Sequence, residues 1–225
     1  MTTICVIFPQ LLGTYGDAGN GLVLHQRARR RGFETTLVSV EPGDELPDAA
    51  IYLLGGGEDG PQRLAADLLR ESSLSRRVRD GARVFAVCAG LQILGQTFCI
   101  EGNDEYAGLG LIDATTKRGV TRSVGEIMTE SQGQRLVGFE NHGGQTDLGV
   151  GVDSMGRVLV GRGNDGAVDG YHVARIWATY AHGPVLAMNP WLADLILEDL
   201  LGSKLEPLSS AADLLYDERC RALAS

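Results

Sequence analysis

The sequence predicts an α/β fold in three layers, with a largely parallel central sheet, helices on both faces and a mixed or antiparallel extension. Three observations carry that reading. The first half of the chain alternates in the order β-α-β-β-α-β-α, a pattern that buries its apolar faces best as parallel strands joined by crossover helices. The stretch RVFAVCAGLQILG, Arg83 to Gly95, runs from a nearly continuous apolar strand through two small residues into an amphipathic helical pattern. Beyond Gly108 the texture changes to short strand candidates separated by glycine-rich turns, which suits the extension.

The elements follow in order. Ile4 to Phe8 reads as the first strand, Pro9 to Asn20 as a loop containing TYGDAGN, and Gly21 to Arg31 as a helix stopped by Gly32. Thr35 to Val40 alternates as a strand, and Ala49 to Leu54 is an apolar strand running into Gly55, Gly56 and Gly57. Leu64, Leu68, Leu69 and Val78 recur at helical spacing between Pro61 and Asp80, with Gly81 as the stop. After the Arg83 to Gly95 unit come strand candidates at Val124 to Thr129, Leu136 to Phe139, Arg157 to Val160 and Tyr171 to Ala181. Pro190 to Leu201 reads as a helix between Asn189 and Gly202, and Ser209 to Leu223 as a last helix. With no internal repeat or long linker, residues 1–203 form one expected domain and residues 204–225 a C-terminal helical extension of it.

Composition narrows the function classes. A hydrophobic content of 44% and a charged content of 22% over 225 residues are ordinary for a soluble domain. The net charge of −9 argues against nucleic acid as a partner, because phosphate binding draws on a basic surface. The one basic cluster, Arg27, Arg29, Arg30 and Arg31, reads as a solvated helix end complementing the dipole. No run of 18 apolar residues indicates a membrane span, and the opening MTTICVIFPQ reads as a strand rather than an export signal. Cysteines at positions 5, 88, 99 and 220 show no C-x-x-C spacing. They read as free thiols of a cytoplasmic protein, without a metal site.

The chemistry centres on Cys88. It stands at the carboxyl end of a buried strand and the start of a helix, where unpaired N–H groups and the helix dipole favour thiolate. Cys5, Cys99 and Cys220 read as small core residues instead. A thiol nucleophile needs a base. His182 follows a strand end, as Cys88 does, and is preferred over His142 in GFENHGG; His25 and His172 fall within a helix and a strand. Attack on a carbonyl also needs oxyanion donors, which the Gly55-Gly56-Gly57 loop and the Ala89 N–H can offer. GGGEDG lacks the Lys-Ser/Thr of a P-loop and is not G-x-G-x-x-G, so it gives little support to nucleotide binding.

On these residues VCAGLQILG resembles the C-x-G-x-Q elbow of the class I triad glutamine amidotransferases, and GGGED resembles their oxyanion strand. TYGDAGN, GFENHGG and YAHGPVLAMNP are similar to the CobB/CobQ-like branch. Within it they resemble the GatD-type glutaminase subunits of lipid II isoglutaminyl synthases and, more distantly, domains of cobyric acid synthase type. The likeness runs from about Ile4 to Leu201. It implies L-glutamine as substrate, attack by Cys88 on the carboxamide, ammonia leaving with a proton from His182, and hydrolysis of a glutamyl thioester. Gln92 would support the oxyanion loop, and Arg122, with Arg118 as the competing choice, would hold the glutamine carboxylate.

The resemblance further implies no cofactor in this chain. ATP and Mg would belong to a Mur-ligase-like synthetase subunit in a heterodimer, which activates the D-glutamate of a lipid-linked stem peptide for conversion to D-isoglutamine. One departure stands out: the family's H-x-E is here His182-Gly183-Pro184, so the carboxylate that orients the imidazole is missing from its usual place. Glu140, another internal acid or the partner has to supply it, and the partner is the expected source. The roles of Asp17, Asn20 and His142 stay open. The competing readings are the glutaminase component of a cobyrinate-type amidotransferase and a non-catalytic regulatory subunit.

Overall fold

The computed structural model describes residues 2–100, 104–208 and 210–224. Its first half runs β1 (Thr2–Ile7), α1 (Gly19–Arg30), β2 (Thr35–Val40), β3 (Ile51–Leu54), α2 (Asp59–Glu71), α3 (Leu74–Arg79), β4 (Arg83–Val87) and α4 (Ala89–Leu94). The second half runs β5 (Thr97–Cys99), β6 (Glu105–Ala107), β7 (Ala114–Ser131), β8 (Gln134–Leu148), β9 (Gly156–Val160), β10 (Val168–Asp169), β11 (Tyr171–Val173), β12 (Ile176–Thr179), α5 (Val185–Met188), α6 (Pro190–Leu201) and α7 (Ala211–Leu223).

The main sheet has the order β11-β12-β4-β3-β1-β2, parallel throughout except for β11 on its edge. Its central strands are buried on both faces, which is why IYLL and FAV read as unbroken apolar runs. Helices α1, α5 and α6 pack together as one group, and α2, α3 and α4 as another. The mixed extension takes two forms. β11 joins the main sheet antiparallel, whereas β10-β9-β7-β5-β6, with β8 on β7, form a second sheet.

Several boundaries differ from expectation for local reasons. The helix expected from Pro61 to Asp80 is two helices, because the Ser72 hydroxyl donates to the Leu69 carbonyl and accepts the Leu74 N–H. The single strand expected from Tyr171 to Ala181 is a hairpin, turned at Ala174 with φ +51°. β7 and β8 are far longer than the short strands expected inside them, since much of β7 is polar and exposed and shows no apolar alternation. The last helix starts at Ala211 behind a Ser210–Asp213 capping box; Ser209, its expected first residue, lies outside the described residues. The basic cluster is not simply solvated. Arg27 is 7% exposed and bidentate to Asp194, at 2.7 and 2.6 Å, and Arg31 reaches the same carboxylate at 2.8 Å, tying α1 to α6.

Candidate active site

The sheet register determines which residues meet. Thr179 pairs with Val87 and Leu54 with Ala86, so the chain leaves β3, β4 and β12 at one level, towards Gly55, Cys88 and Tyr180. Cys88 takes φ +49° and ψ −104°, a conformation outside the ordinary regions for an L-residue. Its N–H donates to the Thr179 carbonyl at 3.0 Å, and the Gly90 N–H donates to the Gly55 carbonyl at 3.1 Å. Gly90 is required by proximity: a Cβ there would stand 2.6 Å from Leu54 Cβ. A strand, a strained residue and a glycine pressed against the neighbouring strand make a nucleophile elbow.

His182 is fully buried, and its Nδ1 lies 2.9 Å from Asp17 Oδ2. Because the carboxylate can only accept, Nδ1 carries the proton and Nε2 is the ring's free acceptor. Nε2 is buried and has no hydrogen-bond partner among the described residues. The same Asp17 oxygen accepts the Gly56 N–H at 2.8 Å, and a Cβ on Gly56 would stand 2.6 Å from His182 Cε1. Tyr15 meets the imidazole edge-on and Phe139 stacks on it, with centroids at 4.8 and 5.5 Å.

Asp17 is the orienting carboxylate that the sequence reading sought in the partner. It comes from within the chain, in the TYGDAGN loop, 165 residues before the histidine. The rest of that loop docks on the segment after β12. Gly19 lies against Pro184, where a Cβ would come within 2.6 Å of the ring, and Asn20 Oδ1 accepts the Leu186 N–H at 2.9 Å.

Three further expectations change, and the open role of His142 narrows. Burial, with the Asp17 charge second, pushes the Cys88 thiol up to about 12, although the Ala89 N–H and Arg122 pull it down. The resting sulfur therefore keeps its proton, because a helix of six residues does not outweigh desolvation. The Gly56 N–H is committed to Asp17, which leaves the Ala89 N–H, bonded to the thiol, and Gly57, which lines the same cavity. His142 is not a free base: its ring nitrogens face Glu140 Oε2 at 3.1 Å and the Gly144 carbonyl at 2.9 Å, and the ring stacks on Tyr180. Cys99 is half-buried and lines the cavity instead of filling the core.

A cavity of about 300 Å³ opens over the elbow, lined by Cys88, Gln92, His142, Arg118, Arg122 and residues 57–60. His182 is not among its lining residues. The two arginines owe their position to a bulge. Arg118 pairs with Gly144 and Ser123 with His142, so residues 119–122 of β7 oppose Gly143 alone. Arg122 Nε donates to Asn141 Oδ1 at 2.6 Å, and among the described residues both terminal nitrogens of its guanidinium are left for a ligand. Gln92 accepts from Gln62 at 2.8 Å and donates to the Tyr180 hydroxyl at 3.1 Å, so it braces α2, which follows the glycine loop. Among the described residues no group of histidine, cysteine and carboxylate side chains could hold a metal ion, and no helix is long and apolar enough to cross a membrane.

Residues 3–190 match the family model of the CobB/CobQ-like glutamine amidotransferase domain. Subunit GatD of the glutamine-hydrolyzing lipid II isoglutaminyl synthase of Staphylococcus aureus (strain N315) is 34% identical over 203 residues, covering 87% of this chain and 83% of that protein. The corresponding subunit of Streptococcus pneumoniae (strain ATCC BAA-255 / R6) is 31% identical, covering 89% and 81%. A crystal structure of a glutamine amidotransferase superposes with a TM-score of 0.61 at 21% identity, over 88% of this chain and 98% of that one, a likeness of fold.

Proposed function

This chain belongs to the CobB/CobQ-like glutamine amidotransferase family, and from that premise we propose that it is a glutaminase subunit working through Cys88, His182 and Asp17. It would pass ammonia to a Mur-ligase-like synthetase that amidates the D-glutamate of lipid II to D-isoglutamine. The observation that carries the reading is the buried Asp17–His182 pair, its Nε2 without a partner among the described residues, on the segment after β12, the strand paired with the one that ends at the strained Cys88.

The chemistry follows from those groups. Arg122 and the cavity hold L-glutamine with its carboxamide carbon at the sulfur. Cys88 Sγ attacks that carbon while its proton passes to His182 Nε2, and Asp17 stabilises the imidazolium that forms. The N–H groups of Ala89 and Gly57 receive the developing oxyanion. The tetrahedral intermediate collapses as His182 returns the proton to the leaving nitrogen, releasing ammonia and leaving a γ-glutamyl thioester. Water, deprotonated by the same Nε2, then clears the thioester and restores the thiol. ATP and Mg would be used on the partner subunit, where the carboxylate is activated, and the names of the two GatD relatives support lipid II as the acceptor. The reading places both subunits in the cytoplasm.

The test is ammonia release from L-glutamine by the chain, alone and with the co-purified synthetase. Cys88→Ala abolishes it in both settings. Asp17→Asn, which leaves His182 in the wrong tautomer, lowers kcat by roughly 10²–10⁴-fold with KM little changed. Full activity of the Asp17 variant in the complex would return the orienting carboxylate to the partner. Full activity of the Cys88 variant would end the glutaminase reading.

A further inference from the structure

The cavity over Cys88 is lined by charges of both signs: Arg118 and Arg122, placed by the β7 bulge, and Glu58 and Asp59, at the end of the glycine loop. Asp59 occupies the first turn of α2, where a carboxylate complements the helix dipole. Glu58 stands at the N-cap position, near the same dipole end, but it makes no side-chain cap bond, and among the described residues its carboxylate enters no ion pair. Among the described residues Arg122 likewise has no acidic partner and bonds only Asn141. Two opposite charges thus line one small cavity without meeting, and both act electrostatically on the Cys88 thiol.

Unpaired opposite charges flanking a nucleophile fit a ligand that carries both complementary charges on one carbon. A free α-amino acid is such a ligand. With its side-chain amide carbon at the sulfur, its α-carbon lies three carbon–carbon bonds away, carrying a carboxylate for the guanidinium and an ammonium for the acid. We infer that Glu58 binds the α-ammonium of the substrate in the cavity that Arg122 also lines, so that the pair selects a free amino acid over an amide lacking the amino group. The inference rests on the glutaminase reading and adds a specificity-determining residue to it. A charge-assisted bond made equally in ground and transition states affects KM and leaves kcat alone.

The experiment compares L-glutamine with glutaric acid monoamide, which has the same carboxamide and carboxylate but no α-amino group, on the full chain and on Glu58→Gln and Glu58→Asp. Ammonia release is the readout, and labelling of Cys88 by 6-diazo-5-oxo-L-norleucine is the independent check. Glu58→Gln raises KM for L-glutamine roughly 10–100-fold while kcat stays within about twofold, and it leaves the monoamide unaffected. Glu58→Asp, which keeps the charge, recovers part of the loss. An equal effect on both substrates, or none on L-glutamine, would overturn the role of Glu58 and leave the glutaminase reading standing. A parent chain that releases no ammonia from either amide, with Cys88 unlabelled, would overturn that reading and this inference with it.

Discussion

At the level of single residues, Cys88 is an acid held in check. Burial keeps its thiol protonated, at about 12, and only a base brought to the sulfur can release it. Alkylation of Cys88 by iodoacetamide in the ligand-free chain should therefore climb about tenfold per pH unit from 7 to 10 without a plateau, read by mass spectrometry of the peptide. A plateau below pH 8 would mean a preformed thiolate. The sequence made Cys88 and His182 legible, because each follows a strand end and small residues accompany them. Asp17 was not legible as their partner: its carboxylate reaches the ring across a loop whose path no local pattern encodes. Arg122 and Arg118 were both visible as candidates, and both line the cavity. The electrostatic reach of Arg122 to Cys88 favours it as the carboxylate clamp.

At the level of elements, the site is assembled by two loops and a bulge rather than by any one helix or strand. The loop after β1 lies along the segment after β12, residue against residue: Asp17 with His182, Gly19 with Pro184, Asn20 with Leu186. The loop after β3 is wedged between them at Gly56. Gly56→Ala would drive a methyl into His182 Cε1 and crowd Asp17, overpacking that costs about 1–3 kcal/mol of stability. The expected outcome is a chain that still unfolds cooperatively, with a lowered midpoint and glutaminase activity reduced at least about tenfold. Unchanged activity would show that the imidazole does not need this contact. The motifs TYGDAGN, GGGED and GFENHGG were conspicuous in the sequence, but their mutual docking was not. The bulge at 119–122 was invisible because it breaks no hydrophobic period, lying in a largely exposed stretch of β7.

At the level of the whole molecule, a layer of buried polar groups supports the site from beneath. Asp169, fully buried, accepts the Thr179 hydroxyl and the Tyr180 N–H, directly behind the strand that leads to His182. Burial raises its carboxyl to about 6, against the opposing pull of Thr179 and Tyr180. Burial also pushes Glu140 up, but His142 and the N–H groups of Gly163 and Arg162 outweigh it, so that carboxyl is lowered. The two act with opposite sign. The stability contributed by Asp169 is complete below its ordinary range and is lost as pH rises through about 6, whereas that of Glu140 is lost as pH falls. Denaturant titrations of the parent and Asp169→Asn hold Glu140 common to both. The parent should lose on the order of 3 kcal/mol relative to the variant between pH 4 and pH 7.5. A constant difference would mean that Asp169 does not titrate there. The fold class itself was legible from the order of apolar runs, because doubly covered strands leave few alternatives. The second sheet was harder to read, since its long hairpin is largely solvated.

The central claim, that Cys88 carries the glutamyl group and His182 with Asp17 moves its proton, is tested most directly by acid-quenching the chain during turnover of labelled L-glutamine and mapping the label. The account predicts a γ-glutamyl thioester on the peptide containing Cys88, absent in Cys88→Ala. Ammonia release with no label on that peptide, or label on another residue, would contradict it.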